Sequence, residues 1–318
     1  MITFRHQLHI TDIVPPYDFE PALTQYNIYP WIQEDGKLVR VLRLRSGGIV
    51  KAEIRSRGTR QQPELQVDIK SDHPLTEAEI EEVKETLSWS LHLDLDPSPF
   101  YGLCERDPVL QAAMGAYRGG RGKVYPTVFE AIIGVICAQN TVFKRLYSMM
   151  HNLAAAFGTP VEIDGQVYYA FPTPQDLASA SEEDLRACKV GYRAKYIRGV
   201  AQALVEKGLD PECLKDMPPE EAKQLLLDLP GIGPYTANLV MSVGLRRSDT
   251  VHLDRYVREV MYTFYFQGQE VPDETIIDYA RTHWPGYEGM AIGLLTTDTD
   301  LWAEELGAEF RLRSGARG

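Results

Sequence analysis

Asp254 is the residue of this chain whose surroundings best suit it to chemistry. It follows the short segment Val251–Leu253 and precedes a predicted helix over Arg255–Phe264. A carboxylate that enters the fold from an apolar wall can stabilise a positive charge that develops in a transition state. It can also orient or deprotonate the attacking water. The other interpretation of Asp254 is a helix N-cap, and one carboxylate can serve both roles.

A glycine-rich hairpin precedes this acid by about twenty residues. The segment Leu229–Gly233 has the sequence LPGIG, which is too rich in glycine to continue a helix. Gly231 and Gly233 can adopt positive φ and allow another molecule to approach the backbone. Pro234 suits the first position of a following helix, whose free amides form a site for an anion such as a nucleic-acid phosphate. An ordinary helix C-cap followed by a turn is the alternative.

The charge of the chain is unevenly distributed. The net charge of −12 taken alone argues against a nucleic-acid binder. However, residues 186–198 carry five basic residues and no acid, and residues 117–147 carry five basic residues and only one acid, Glu130. Acids concentrate elsewhere, notably in residues 77–85. The pattern therefore predicts a basic face on an acidic body, with modest, salt-dependent affinity for nucleic acid.

The first hundred residues predict a small α/β unit. Leu38–Arg45, Ile49–Arg55 and Leu65–Ile69 alternate apolar and polar residues, which is typical of half-buried strands. Gly47-Gly48 marks a hairpin between the first two. Thr76 begins a capping-box sequence, which predicts a helix that extends to about His92.

From residue 101 onward the pattern is helical with short breaks. Val128–Ala138 is the most apolar run and predicts a buried helix, and helix starts are predicted at Ser181 and Pro219. The last residues, Arg311–Gly318, are expected to be a frayed tail. The predicted domains are therefore residues 1–100 and residues 101–318.

Several segments resemble one known family. The hairpin together with Asp254 is similar to the signature of the helix-hairpin-helix (HhH-GPD) DNA glycosylase superfamily. Phe129–Thr141 resembles the helix before that family's intercalating loop. Phe171–Leu177 and Gly191–Tyr196 resemble segments of eukaryotic 8-oxoguanine glycosylases, and Pro15–Phe19 resembles the start of 3-methyladenine DNA glycosylase II. The resemblance implies an α+β fold: a small N-terminal antiparallel-sheet α/β domain (TBP-like), followed by an all-α helix-hairpin-helix domain.

The resemblance also implies an activity and a substrate. It implies a DNA glycosylase of base excision repair, which flips a damaged base out of double-stranded DNA and uses Asp254 to hydrolyse its N-glycosidic bond. Relatives that also cut the backbone have a lysine where this chain has Tyr235. Tyrosine cannot form a Schiff base, so a monofunctional enzyme is expected. Tyr235 and Leu239 are the expected base pocket, although packing in the core is an alternative for both.

The residues that the resemblance implies for DNA binding lie in four segments. Tyr192 matches a wedge, Arg193 a contact to the unpaired partner base, and Gln139 and Asn140 the filling of the gap that the flipped base leaves. For these and for Tyr256, which matches a ring near a phosphate, caps, surface loops or packing are the alternatives. The full set of expected DNA-binding residues is Gly231, Gly233, Thr236, Gln139, Asn140, Tyr192, Arg193 and Tyr256.

Similarity and single residues both bear on the preferred lesion. The 3-methyladenine glycosylase II group is the most similar, which favours an alkylated purine. Where 8-oxoguanine enzymes grip their base with glutamine and phenylalanine, this chain has Ile292 and Thr296, which favours an apolar pocket wall. The alternatives are a glycosylase for oxidised or deaminated bases (8-oxoguanine, hypoxanthine, uracil) and a non-catalytic lesion-binding protein.

The expected cofactor requirement is none. The four cysteines form no CxxC pair, and none follows Cys213, so the iron–sulfur cluster that some relatives carry near the C-terminus is not expected. The carbonyls of Leu227, Leu229 and Ile232 match hairpin positions that hold a monovalent cation, Na+ or K+, in relatives. The resemblance implies such an ion as an electrostatic aid to phosphate binding.

The sequence also predicts the surroundings of the protein. The N-terminus has no long apolar run typical of a secretory signal, and no segment is long enough to span a bilayer. A cytoplasmic protein with no membrane partner is therefore expected, associated with the nucleoid if it is bacterial or archaeal, and the family resemblance implies a monomer.

Overall fold

A computed structural model describes residues 3–25 and 28–312. The chain divides into two compact units: Met1–Leu95 with Gly120–Leu245, and Asp96–Gly119 with Arg246–Gly318. These compact units do not coincide with the domain boundary at residue 100 that the sequence predicts. The helices between Gly120 and Leu245 group with the N-terminal sheet because they share long-range contacts with it, which sequence order does not reveal.

Helices dominate the described part of the chain. The strands are β1 Phe4–Ile10, β2 Trp31–Glu34, β3 Lys37–Arg43, β4 Ile49–Ser56, β5 Leu65–Ser71, β6 Thr159–Ile163 and β7 Gln166–Ala170. The helices are α1 Glu20–Thr24, α2 Glu77–Ser90, α3 Ser98–Cys104, α4 Pro108–Tyr117, α5 Val128–Ala138, α6 Phe143–Phe157, α7 Pro174–Ser179, α8 Glu182–Ala187, α9 Ala194–Glu206, α10 Pro219–Leu227, α11 Pro234–Leu245, α12 Arg255–Phe264, α13 Asp273–His283, α14 Glu288–Leu295 and α15 Thr299–Glu305. Short 3-10 helices cover Gly191–Arg193 and Pro211–Lys215.

The N-terminal sheet is antiparallel, with strand order β1-β5-β4-β3-β2. The three predicted strands are its three central ones, because alternation is clear only where one face is buried, as in β5. Alternation does not identify the two edge strands. Most residues of β1 are exposed, and β2 has only four residues.

Helix α2 begins where the capping box predicts. The Thr76 hydroxyl accepts a hydrogen bond from the Glu79 amide, and the Glu79 carboxylate accepts one from the Thr76 amide. Val83 and Leu87 of α2 are fully buried in the same apolar cluster as the inner side chains of the sheet. The helix ends at Ser90, two residues before the predicted end.

Helix α5 is buried along almost its whole length, as its composition predicts. Its single acid, Glu130, forms hydrogen bonds of 2.5 Å to the Arg40 guanidinium, and Arg40 is 1% exposed. Burial raises the pKa of Glu130, and the Arg40 charge opposes that rise. Gly244 of α11 lies against α5, since a Cβ there would stand 2.6 Å from Cβ of Ala131. Close packing therefore fixes the position of α5, from which the next loop begins.

The second half of the chain is not entirely helical. Residues 159–170 form a two-stranded antiparallel sheet, β6 and β7, within the region predicted to be all-α. The turn Asp164-Gly165, with φ of 53° and 78°, connects the two strands. The sequence signal for this hairpin is weak because each strand has only five residues and Pro160 occupies the first.

The second compact unit is built from α3, α4 and α12–α15 around its own apolar cluster, which includes Trp284 and Trp302. Of the expected C-terminal tail, residues 313–318 lie outside the described residues. No helix in the described ranges is both long and apolar enough to cross a membrane.

Candidate nucleic-acid interface and catalytic acid

The hairpin between α10 and α11 is defined by one glycine. Gly231 has φ of 78°, and an added Cβ would stand 2.4 Å from Cδ1 of Tyr196. Either feature alone disfavours another residue at this position. Gly233 is not among the residues with positive φ, so only one of the two glycines uses the left-handed region.

Helix α11 begins at Pro234, as predicted. Tyr235 is 41% exposed, whereas Thr236 is 5% exposed. Leu239 packs against the apolar cluster of the first unit, which matches the alternative interpretation of that residue. The first turn therefore presents an aromatic ring outward, and the Thr236 hydroxyl points into the protein.

The loop after α5 is tied to this hairpin. Nε2 of Gln139 donates hydrogen bonds to the Gly231 carbonyl at 3.3 Å and to Oγ1 of Thr236 at 3.4 Å. Asn140 adopts φ of 48°, and its Nδ2 donates to the Tyr192 hydroxyl at 3.4 Å. Gln139 thus joins the loop to the hairpin, and Asn140 joins it to the 3-10 helix Gly191–Arg193.

Arg193 is buried, and its guanidinium holds the loop after α5 in place through hydrogen bonds. Its Nη2 donates to the Gln139 carbonyl, and its Nη1 donates to the Val190 carbonyl at 3.3 Å. The guanidinium carbon lies 4.7 Å from the centre of the Tyr192 ring, and Arg193 is only 8% exposed. Tyr192 itself is 49% exposed. Of this pair, the tyrosine faces outward and the arginine holds the loop.

Three segments that are distant in sequence are thus brought together. We call the set of Gln139, Asn140, Tyr192, Arg193, Tyr196 and the hairpin 228–233 the hairpin cluster. Tyr196, which covers Gly231, was not singled out by the sequence, because a tyrosine on a helix gives no specific signal. Nor were Val142 and Phe143, which are 64% and 52% exposed directly before the exposed Lys144 and Arg145.

Asp254 is the N-cap of α12. Its Oδ1 accepts a hydrogen bond of 2.8 Å from the Val257 amide, and the residue is exposed. The cap role expected as an alternative is therefore present, and it engages one of the two carboxylate oxygens. His252 lies close by: burial lowers its pKa, and the Asp254 charge opposes that shift.

Three further residues of the second unit that the sequence singled out have partners within that unit. The Tyr256 ring meets the Phe310 ring edge-on at 5.3 Å, and Tyr256 is half-buried. Ile292 is 1% exposed in the core, and Oγ1 of Thr296 donates to the Ile292 carbonyl at 3.0 Å. Ile292 is thus a core residue, and the hydroxyl of Thr296 is satisfied within its own helix.

One of the three hairpin carbonyls expected to bind a cation already accepts a hydrogen bond within the hairpin. The Leu229 carbonyl already accepts a hydrogen bond of 3.2 Å from the Ile232 amide, which leaves one lone pair for an ion. Carbonyl oxygen is a suitable donor for a hard cation. Among the described residues, no group of three or more His, Cys, Asp or Glu side chains could hold a metal ion.

Comparison with known proteins agrees with this geometry. The chain is 24% identical over 294 residues to a "Probable N-glycosylase/DNA lyase" of Methanothermobacter thermautotrophicus. The aligned region covers 85% of this chain and 90% of that protein. The chain is 30% identical over 179 residues to a DNA-3-methyladenine glycosylase of Bacillus subtilis, which covers 56% and 59%. The solved 3-methyladenine DNA-glycosylase from Archaeoglobus fulgidus superposes with a TM-score of 0.79 at 25% identity and covers 92% of this chain and 98% of that chain.

The family model of the HhH-GPD superfamily base excision DNA repair proteins matches residues 133–284. That range contains the loop after α5, the hairpin and Asp254. Over these residues, which make up slightly less than half of its length, the chain is similar to the HhH-GPD superfamily of base excision DNA repair proteins.

Proposed function

We propose that this protein is a monofunctional DNA glycosylase of base excision repair that removes alkylated purines from double-stranded DNA. The observation that carries the proposal is the hairpin cluster. Gln139 and Asn140, both expected to fill the gap left by a flipped base, and Tyr192, expected to act as a wedge, are linked to one another or to the hairpin by hydrogen bonds. Core packing by itself does not require polar residues from three segments to converge at an exposed surface.

The proposed chemistry uses water and Asp254. The C1′–N glycosidic bond breaks, and its electron pair leaves with the base. Water oxygen bonds to C1′, and the water proton passes to the carboxylate and then to solvent, because the glycosidic electron pair already neutralises the cationic alkylated base. The products are the free base and an abasic site. Oδ1 of Asp254 caps α12, so Oδ2 is the oxygen that faces the developing positive charge.

Two observations support the finer assignments. Tyr235 is exposed at the start of α11, where a lyase would need an amine, and an aromatic face suits an electron-poor alkylated base. Ile292 is buried in the core, and so it gives no polar grip on an oxidised base. The names of the Bacillus subtilis and Archaeoglobus fulgidus relatives also favour alkylated substrates.

HhH-GPD glycosylases generally need no cofactor, and the proposed reaction requires none, including no iron–sulfur cluster. We retain Na+ or K+ at the carbonyls of Leu227, Leu229 and Ile232 as an electrostatic aid to phosphate binding. We also propose that the protein acts as a monomer in the cytoplasm, on nucleoid DNA if it is bacterial or archaeal.

The decisive experiment is release of free base from methylated duplex DNA by the wild type and by Asp254→Asn. Asparagine keeps the cap, so we expect the variant to fold and bind DNA but to release base at least about 100-fold more slowly. Asp210→Asn, which changes another exposed N-cap aspartate, is the matched control and should leave release unchanged. Wild-type release by Asp254→Asn would contradict the proposal.

Trapping with borohydride tests whether the enzyme is monofunctional. Borohydride reduction should trap no covalent adduct between the wild type and DNA, because Tyr235 offers no amine. Release of 8-oxoguanine instead of 3-methyladenine would replace the proposed substrate with an oxidised base. Equal binding of an abasic site by wild type and Asp254→Asn, with no release of any base, would favour a lesion-binding protein.

A further inference from the structure

A second charged residue lies one helical turn after Asp254. The amide of Arg258 donates to the Asp254 carbonyl at 3.1 Å in the first turn of α12. Side chains four residues apart share a helix face, and long side chains lean toward the N-terminus. An acid four residues before a base is also the favourable order for an ion pair. Asp254 is therefore a natural partner for Arg258.

Arg258 is nevertheless bound elsewhere. Its Nε donates to Oδ1 of Asp273, and its Nη2 donates to Oδ2 of Asp273, both at 2.7 Å. This two-point geometry fixes a guanidinium more firmly than a single contact does. The pKa of Arg258 is raised, first by its hydrogen bonds with Asp273 and to a smaller extent by the charge of Asp254. The guanidinium thus lies within the field of Asp254 but is paired with Asp273.

The pairing of Arg258 determines how much uncompensated negative charge the Asp254 carboxylate presents to a bound substrate. A carboxylate stabilises an oxocarbenium-like transition state only in so far as its negative charge is not already compensated. An arginine paired with it would compensate that charge and would occupy its oxygen. The nearby His252 does not do so at neutral pH, because burial lowers its pKa and keeps the imidazole uncharged.

We propose that Asp273 is a positioning residue, which holds Arg258 away from Asp254 so that the Asp254 carboxylate stays uncompensated for base release. The catalytic part rests on the proposed function of Asp254. The structural part is that Arg258 pairs with Asp273 and would pair with Asp254 if Asp273 were removed. That part does not depend on the proposed function.

The kinetic test uses Asp273→Asn, Arg258→Gln and the double variant in single-turnover release of 3-methyladenine from duplex DNA. We expect Asp273→Asn to lower the release rate about fivefold, with unchanged affinity for DNA, because Arg258 then pairs with Asp254. The double variant should recover most of the rate. Asp278→Asn is the matched control, since it removes an acid from the same helix, where it pairs with Arg281. Failure of the double variant to recover would overturn the proposal.

A second test does not require glycosylase activity. The signal of the Asp254 carboxyl carbon at neutral pH is followed by NMR in protein labelled with carbon-13 at aspartate, and Asp254→Asn identifies it. Asp273→Asn should shift the Asp254 signal, because Arg258 then pairs with that carboxylate, and the double variant should reverse the change. An Asp254 signal that is identical in all variants would overturn the proposal. Absence of base release by the wild type would instead overturn the proposed function and leave this test intact.

Discussion

The hairpin cluster and the segment around Asp254 are held in place by different kinds of interaction. In the hairpin cluster, Gly231 fits beneath Tyr196, and amide and guanidinium donors meet backbone carbonyls. Around Asp254, the contacts are a carboxylate at a helix N-terminus and a bidentate pair between Arg258 and Asp273. The first region depends on shape, and the second depends on charge.

The difference corresponds to what each region is proposed to do. Amides that grip a phosphate must be fixed in position, and close packing fixes them. A carboxylate that stabilises a cationic transition state must have the right charge, and charges nearby set that property. Substitutions that change size should therefore damage the hairpin cluster most. Substitutions that change charge should act mainly on the Asp254 segment.

The largest effect should come from Gly231→Ala. Alanine at φ of 78° is strained, and its Cβ would clash with the Tyr196 ring, so we expect a loss of about 3 kcal/mol in the free energy of unfolding. Binding to duplex DNA should weaken with it. Urea denaturation and fluorescence anisotropy measure the two quantities.

The matched control for that change is Gly233→Ala. No atom lies within 4 Å of an added Cβ at Gly233, and its φ is not positive. A cost of about 1 kcal/mol or less is expected, since the added methyl group meets no neighbour and the backbone is not in the left-handed region. Equal costs for the two alanines would mean that shape is not what holds the hairpin.

A smaller effect is expected for Arg193→Lys, which keeps the charge and removes the planar fork. One ammonium is not expected to replace both guanidinium contacts, to the carbonyls of Gln139 and Val190, so one carbonyl should lose its partner. We expect the variant to lose about 2 kcal/mol in urea denaturation. Wild-type stability would show that charge alone suffices in the hairpin cluster and would break the comparison.

The smallest effect on stability concerns Asp254 itself. Asp254→Ala removes the cap on α12 and should lower the free energy of unfolding by about 1 kcal/mol, whereas Asp254→Asn should change it little. Thermal denaturation of both variants beside the wild type measures this. If Asp254→Asn is as destabilised as Asp254→Ala, its loss of base release cannot be assigned to chemistry.

Much of the fold could be predicted from local signals. The capping box at Thr76, the buried helix Val128–Ala138, the helix starts at Ser181 and Pro219 and the three central strands all have the predicted character. Each depends on hydrogen bonds or periodicity within a few residues, which are written in the sequence. The exposed edge strand β1 and the short strands β6 and β7 have no such signal, because neighbouring strands decide their pairing.

For the site, the sequence by itself determined which residues are present: the LPGIG turn, tyrosine in place of lysine at position 235, and one acid at position 254. Only the tertiary structure decided what several of them do. Arg193, expected to face a base, is buried as a brace, and Asp273 rather than Asp254 pairs with Arg258. The physical reason is that a side chain's type is fixed locally. Its partner is selected by competition among groups that meet only when the chain is folded.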